Sequence, residues 1–438
     1  MQTSSPKYFS VIEHGGFINS PHPVSGYTPL PKHTFQALED LILQNLNDTG
    51  KAEAIELFAL SARRKIGKVI TARNYVGVVV MKDGTTIEIL PKIHGAESSE
   101  KTREVLLEML RSLRIAPFKE FNNARLKVGR LNIFEVFIAM FVSETAMLYK
   151  QGLKANYLAT QNNERFFKGK LIVSEHLRYN LFNRERFYLE YDEFSLNRPE
   201  NRLLKSTLWL LLSLSQEGTN RQKIRRLLSL FDKVPSSTNF ATDFDRCLSN
   251  REVKHYERAL SWCKIFLRGD SFTSFPGSQV AIALLFPMET IFESYIATKL
   301  KKIVGNNVRC VAQDRSHHLF SEPTKVFALQ PDFVMELGDN VFVMDTKWKI
   351  ISGSGRTLGI SQADMYQMYT YAKKYMFGKK DASIKTFLIY PKTANKNVDE
   401  EIHFRSKDNV SVDIISVDLL DINNCLRTLL KEKCAIEL

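Results

Sequence analysis

Two aspartates and a lysine stand around a turn in the segment QPDFVMELGDNVFVMDTKWKI, from Gln330 to Ile350. Mostly apolar runs, Phe333–Leu337 and Val341–Met344, flank Gly338-Asp339-Asn340, a composition that favours a tight turn, so the segment reads as a β-hairpin. A turn of two or four residues around Asp339 sets Asp332 directly opposite Asp345, whereas a three-residue turn shifts the pairing by one. In either register two carboxylates meet where the hairpin opens. Lys347 follows Asp345 by two and projects to the same face of the strand. Carboxylates brought together repel unless a cation lies between them. Mg²⁺ suits that role, because it takes hard oxygen ligands and retains several waters. A lysine beside it can orient or deprotonate an attacking water and steady charge developing on a phosphate, so the trio fits phosphodiester hydrolysis. The plainer alternative makes Asp332 a turn cap, with Asp345 and Lys347 an ordinary exposed ion pair. The apolar run before Asp345 weighs against it. That run implies a strand buried on both faces, a costly place for a carboxylate without a cation.

Two helices flank this hairpin in sequence. SQADMYQMYTYAKKYMF, from Ser361 to Phe377, starts on Ser361 with Asp364 at capping-box spacing. Its Gln367 and Tyr371 are i and i+4 and share a face; the rest of its Met/Tyr stripe reads as core packing. Upstream, FPMETIFESYIATKL (Phe286–Leu300) reads as a second helix, with an apolar stripe through Ile291, Phe292, Tyr295 and Ile296. Its Glu289 and Glu293 lie one turn apart. Either can add a metal or water ligand at the hairpin's open end, and a solvated helix face accounts equally well for Glu289.

Pro331-Asp332 … Asp345-Thr346-Lys347 resembles the PD-(D/E)XK nuclease pattern, and Gln367-x-x-x-Tyr371 is similar to the motif of its RecB-like branch. The fuller wording, FPMETIFESYIA, LQPDFV, DTKWK and ISQADMYQMYTYA, resembles the McrC family, the nuclease subunits of the McrBC modification-dependent restriction system. The likeness continues in VGVVVMKDGTTIEILPKI, QGLKANYLATQNNERFFKGKL and YDEFSLNRPENRLLK, so it covers most of the chain from about Val11. The resemblance implies an endonuclease that cuts double-stranded, methylcytosine-containing DNA with Mg²⁺, for which Mn²⁺ substitutes. It implies Asp332 and Asp345 as metal ligands, Glu293 as a further acidic one, Lys347 as the residue that orients water, and Gln367 and Tyr371 as support. It also implies a McrB-like AAA+ GTPase hexamer as partner, engaged by the N-terminal region, with GTP acting only through that partner. Two competing readings are a non-cleaving regulatory adaptor of the GTPase and a standalone RecB-like DNA nuclease.

The bulk numbers fit these expectations. At 438 residues the chain has room for two or three domains. A net charge of +13 suits a polyanionic partner such as DNA. No apolar run reaches membrane-spanning length, and MQTSSPKYF lacks the apolar core of a signal peptide. Five scattered cysteines without CxxC spacing argue against a disulfide framework or structural zinc. A cytoplasmic protein is expected. GxxxxGK[ST], HExxH and GxSxG are all absent, so any nucleotide hydrolysis must come from another subunit.

The expected architecture is multidomain α+β. Residues 1–97 read as a β-rich N-terminal, partner-binding domain with a helix at Phe35–Asn47 capped by Thr34. Its Arg63, Arg64, Lys65 and Lys68 form a basic loop, suited to a polar pore or simply a solvated turn. Residues 98–270 read as a mainly helical middle domain containing a buried helix, Ile133–Leu148. Residues 271–438 read as a C-terminal α/β PD-(D/E)XK nuclease domain with a mixed sheet, entered through a linker at Arg268–Gln279. A helix at Asp418–Lys431 closes the chain. The pair His317-His318 is assigned to a surface loop.

Overall fold

The computed structural model describes residues 8–20, 22, 24–47, 57–113, 131–182, 185–248, 255–268, 280–304, 308–351, 357–377, 383–393 and 402–436. The expected linker falls largely on 269–279, outside them. The architecture is mixed α+β with several sheets. The chain divides into two compact units, one made of Met1–Ile133 with Ser271–Leu438, the other of Phe134–Asp270.

The first unit joins the two ends of the chain through one strand. Tyr75–Met81, YVGVVVM, is apolar on both faces and needs a neighbour on each side. On one side lies Thr86–Leu90, antiparallel, which in turn pairs in parallel with Tyr8–Ile12. On the other lies Val280–Pro287, antiparallel, with Phe286 opposite Val76. The segment around Phe286, expected to open a helix, is therefore sheet, and the helix runs Met288–Val304. Pro287 explains the boundary: it ends the strand and sits just before the first helical turn, where its missing N–H costs nothing. Ala283 and Leu285 pack with Phe17, Phe35, Leu38, Ile70, Val79 and Ile87 in one core.

At Gly77 the two strands approach so closely that a Cβ would lie 2.0 Å from the Leu284 carbonyl oxygen, and φ there is 134°. Gly77→Ala is expected to destabilise the protein by roughly 3 kcal/mol or more. Urea unfolding of the variant measures this, and a midpoint equal to wild type would contradict it.

A second sheet in this unit carries Gly16–Ile18, Tyr27–Pro29, Phe58–Arg63 and Gly67–Ala72. The basic stretch is the tip of its last hairpin, where Arg63 pairs with Gly67. Lys68 forms an ion pair with Glu39, and the Arg63 guanidinium lies over the Tyr27 ring. The helix before this hairpin runs Lys32–Asn47, so Thr34 lies inside it rather than capping it.

Across the first sheet, Glu88 is fully buried and saturated with donors. Arg103 reaches it from Nε at 3.0 Å and Nη2 at 2.9 Å, the Tyr8 hydroxyl at 2.5 Å and the Ile133 backbone N–H at 2.8 Å. Burial, and then the Glu88 carboxylate, push the Tyr8 hydroxyl up to about 12.

The six-stranded sheet that carries the hairpin has strand order Arg309–Ala312, Phe333–Leu337, Asn340–Thr346, Ser383–Pro391, Ser411–Val417, Ile402–Arg405. Its central pairs, Asn340–Thr346 with Ser383–Pro391 and the latter with Ser411–Val417, are parallel, and the outer pairs antiparallel. Helix Gln362–Met376 covers one face, burying Met368, Tyr371 and Tyr375 against Val334, Val343 and Leu388. The terminal helix is shorter than expected: Ile422–Thr428 continues as a π-helix over Leu429–Lys433. His318 is in a short strand, and the His317 ring packs against Tyr375.

The second unit is not purely helical. Helices Pro199–Leu214, Gly218–Leu230, Phe240–Leu248 and Glu257–Arg268 accompany the one that ends at Gln151. A three-stranded sheet joins them, built mainly on the antiparallel pairing of Asn156–Glu164 with Phe187–Ser195. FYLEYDEFS carries aromatic and charged residues at short spacing, which masks the strand from a search for apolar periodicity. Glu135 is buried here and accepts from Ser215 Oγ at 2.9 Å, Gln216 N–H at 2.7 Å and Asn220 Nδ2 at 2.8 Å. Among the described residues no helix is long and apolar enough to cross a membrane.

Candidate active site

The turn at the hairpin is the two-residue one. Leu337 pairs with Asn340, Gly338 has φ 55°, and the ladder runs to Phe333 opposite Met344. Extended by one position, that register sets Asp332 directly across from Asp345 at the open end. Asn340–Thr346 is a central strand, buried throughout except at Asn340, so Asp345 is only 1% exposed.

Each carboxylate has its own environment. Thr346 donates to Asp332 Oδ2 twice, from its backbone N–H at 2.7 Å and its hydroxyl at 2.6 Å. This leaves the second oxygen of Asp332 outside that pair. Asp345 Oδ2 forms an ion pair with the Lys347 ammonium and is a buried oxygen without a well-directed hydrogen bond. Burial pushes the Asp345 carboxyl up to about 7, and the Asp332 charge adds to the rise. Asp332 is raised as well, again chiefly by burial. Burial alone would lower Lys347, but the neighbouring Asp345 carboxylate more than offsets it and holds the ammonium above its ordinary value.

A buried carboxylate and a half-buried one share a single lysine, so the site carries an excess of negative charge. A hard dication fits these donors on electrostatic grounds. Among the described residues no group of three or more His, Cys, Asp and Glu side chains is arranged to hold a metal. Glu293 is therefore not drawn into a cluster with the two aspartates. It accepts instead from Gln313 Nε2 at 2.8 Å, and the Gln313 backbone N–H donates to the Asp332 carbonyl at 3.0 Å. Glu293 thus reaches the hairpin through Gln313, a residue with φ 52° that the sequence did not single out. Glu289 is exposed.

Gln367 Nε2 donates to the Tyr371 hydroxyl at 2.7 Å, as their spacing predicts. Burial, and next the Asp345 charge, push Tyr371 up to about 12, which places its hydroxyl within the field of the carboxylates. The Ser361–Asp364 capping box does not form. Ser361 makes no side-chain cap, and the Asp364 carboxylate is held by Lys349 at 3.0 Å and by the Tyr390 hydroxyl at 3.4 Å. Asp364 and Lys349 thus stand beside the site without having been expected there, because a non-local ion pair leaves no local pattern. The Asp364 charge contributes to the rise of Asp345.

The residue after Lys347 ties the hairpin to the N-terminal strands. Trp348 Nε1 donates to both oxygens of Glu13, at 2.8 and 3.0 Å. Burial still pushes Glu13 up to about 7. A carboxyl raised in the folded state makes the folded protein bind more protons between its ordinary value and about 7. Stability from this group is therefore fullest below about 4.5 and declines as pH rises through 7, by a few kcal/mol at ~1.4 kcal/mol per unit. Glu13→Gln should flatten that part of the profile. Urea midpoints at pH 5 and pH 8 for both proteins test it, and parallel slopes would refute it.

Comparison with known proteins places the chain as follows. A family model described as McrBC 5-methylcytosine restriction system component matches residues 70–391. No curated protein matches by sequence. Among solved structures, a half-complex from a tetradecameric assembly of Thermococcus gammatolerans McrB AAA+ hexamers with bound McrC contains a similar chain. It has 20% identity and a TM-score of 0.70, over 98% of this chain and 100% of that one. The Thermococcus gammatolerans McrBC complex contains another, at 21% identity and a TM-score of 0.51, over 68% of this chain and 88% of that one.

Proposed function

The chain belongs to the McrBC 5-methylcytosine restriction system component family, and on that premise we propose that it is the Mg²⁺-dependent endonuclease subunit of such a system, hydrolysing phosphodiester bonds of methylcytosine-containing double-stranded DNA beside a McrB-like AAA+ GTPase hexamer. The observation that carries the chemistry is the pair of carboxylates, Asp332 half-buried and Asp345 buried, that share Lys347 at the mouth of one hairpin. The likeness of Pro331-Asp332 and Asp345-Thr346-Lys347 to the PD-(D/E)XK pattern, and of Gln367-x-x-x-Tyr371 to its RecB-like branch, supports this reading. The similar chains in McrB assemblies support the partner, and the +13 net charge supports DNA.

Asp332 and Asp345 would hold Mg²⁺, with water completing the coordination, and Mn²⁺ would serve in its place. The bound ion supplies Lewis acidity toward the scissile phosphate and a more acidic water. Lys347, fixed by Asp345, orients the attacking water and stabilises charge on the phosphate oxygens. Thr346 locks the Asp332 rotamer through two donors. Glu293 positions the Asp332 end of the hairpin through Gln313. The Gln367–Tyr371 pair offers a hydroxyl to the backbone of the bound strand.

The test combines this chain with its GTPase, GTP and methylated duplex DNA. Cutting is expected with Mg²⁺, lost in EDTA and restored by Mn²⁺. Cutting that persists in EDTA would refute the metal assignment. Stimulation of GTP hydrolysis without any cutting would identify an adaptor instead.

A further inference from the structure

Lys349 leaves the same segment as Lys347, two residues further on and on the same side. The Lys347 backbone N–H donates to the Ile389 carbonyl at 2.9 Å, which carries the strand pairing past Thr346. Alternation persists along this stretch. Val341, Val343 and Ile351 pack in the core with Met368 and Tyr371 of helix Gln362–Met376, whereas Trp348 turns away to Phe292 and Glu13. Two residues of extended chain span roughly 6.6 Å, on the order of the distance between successive phosphates along one DNA strand.

The two lysines are held alike. Asp345, 1% exposed, pairs with Lys347; Asp364, 5% exposed, receives Lys349 on its two oxygens at 3.1 and 3.0 Å. In each pair the carboxylate is buried and the ammonium lies nearer to solvent, the Lys349 side chain being 45% exposed. With two N–H bonds turned to Asp364, the ammonium keeps a third for another acceptor. Asp364 is fixed in turn by the Tyr390 hydroxyl at 3.4 Å. It stands three residues before Gln367 and seven before Tyr371, so all three share one helix face. Its charge is felt at both Asp345 and Lys347. A first-turn acid has a local use in capping its own helix, yet Asp364 reaches across to Lys349 instead. As a stabilising device alone the pair is weak, because a half-exposed ammonium offsets only part of the cost of burying a carboxylate.

We propose that Lys349 contacts the phosphate next to the scissile one on the same DNA strand, and that Asp364 is the positioning residue that fixes its ammonium there. The inference rests on the nuclease reading and deepens it. Lys347 serves the reacting phosphate and Lys349 its neighbour, so the two ammoniums set the register of the strand across Asp332 and Asp345.

Cleavage of methylated duplex DNA by the complex with the GTPase, in GTP and Mg²⁺, is followed at several KCl concentrations. Lys349→Ala is expected to slow cutting about tenfold and to make log(kcat/KM) fall less steeply with log[KCl], by about 0.9 for one lost phosphate contact. Lys349→Arg keeps the charge and should retain the wild-type slope and most of the rate. Asp364→Asn should slow cutting on its own but cost nothing further in the Lys349→Ala chain, since it acts only through that lysine. The double variant also removes the buried charge that Lys349→Ala strands, so it reports on the contact even where the single variant fails to fold. A wild-type salt slope in the Lys349→Ala and double variants, or a further loss from Asp364→Asn once Lys349 is gone, overturns the proposal. If wild type still cuts and Asp345→Asn does not, the nuclease reading survives that result. A wild-type complex that never cuts removes both.

Discussion

Asp345→Asn is expected to lower DNA cleavage by about a thousandfold or more while leaving stimulation of GTP hydrolysis by the partner intact. The substitution keeps the shape of the side chain and removes one of the two charges that would grip the cation. Lys347→Ala is expected to cost about a hundredfold or more, the scale of losing one electrostatic contact to the developing charge. Unfolding is separated from loss of chemistry by the site's own electrostatics. Because burial pushes the Asp345 carboxyl up to about 7, its charged form opposes folding above that pH. At pH 8 the D345N protein should therefore be no less stable than wild type. Cleavage rates measured beside urea midpoints decide the matter. Wild-type cutting by both variants would end the active-site assignment.

The second large effect is on stability. Arg103→Ala is expected to destabilise the first unit by about 3–5 kcal/mol. The guanidinium is the only charge compensating Glu88 among its named partners, the others being the Tyr8 and Ser10 hydroxyls and the Ile133 N–H. Its removal would strand a fully buried carboxylate. Replacing both members by apolar residues of similar volume should recover much of the loss, since the desolvation cost goes with the charges. Unfolding followed by circular dichroism measures both variants. An Arg103→Ala loss below 1 kcal/mol would show that the carboxylate finds another partner or a proton.

What the sequence made legible follows from the range of the interactions involved. The hairpin could be read because Gly338-Asp339 is a local turn signal and Val341–Met344 is an unbroken apolar run, so the opposition of Asp332 and Asp345 came within one residue of being fixed in advance. The Gln367–Tyr371 hydrogen bond is likewise a matter of helix spacing. What escaped depends on distant partners. Val280–Pro287 is a strand because Tyr75–Met81 needs a second neighbour, and nothing local to Phe286 says so. Gln313 and Glu13 are unremarkable in sequence and Asp364 reads there only as a capping-box residue, and each acquires its place from a contact across the fold. The unit assembled from both ends of the chain escaped for the same reason: contiguous stretches are what a sequence displays, and this unit is built from two of them.

The late arrival of Val280–Pro287 has a consequence for biosynthesis. During translation Tyr75–Met81 emerges with one long edge bare, and its partner is made about 200 residues afterwards. At roughly 5–20 residues per second the wait is on the order of 10–40 s. Through that interval a valine-rich ribbon is open to pairing with another nascent chain. Premature termination anywhere before residue 280 would leave that exposure permanent, so truncated products of this gene should aggregate or be degraded rather than accumulate as folded fragments.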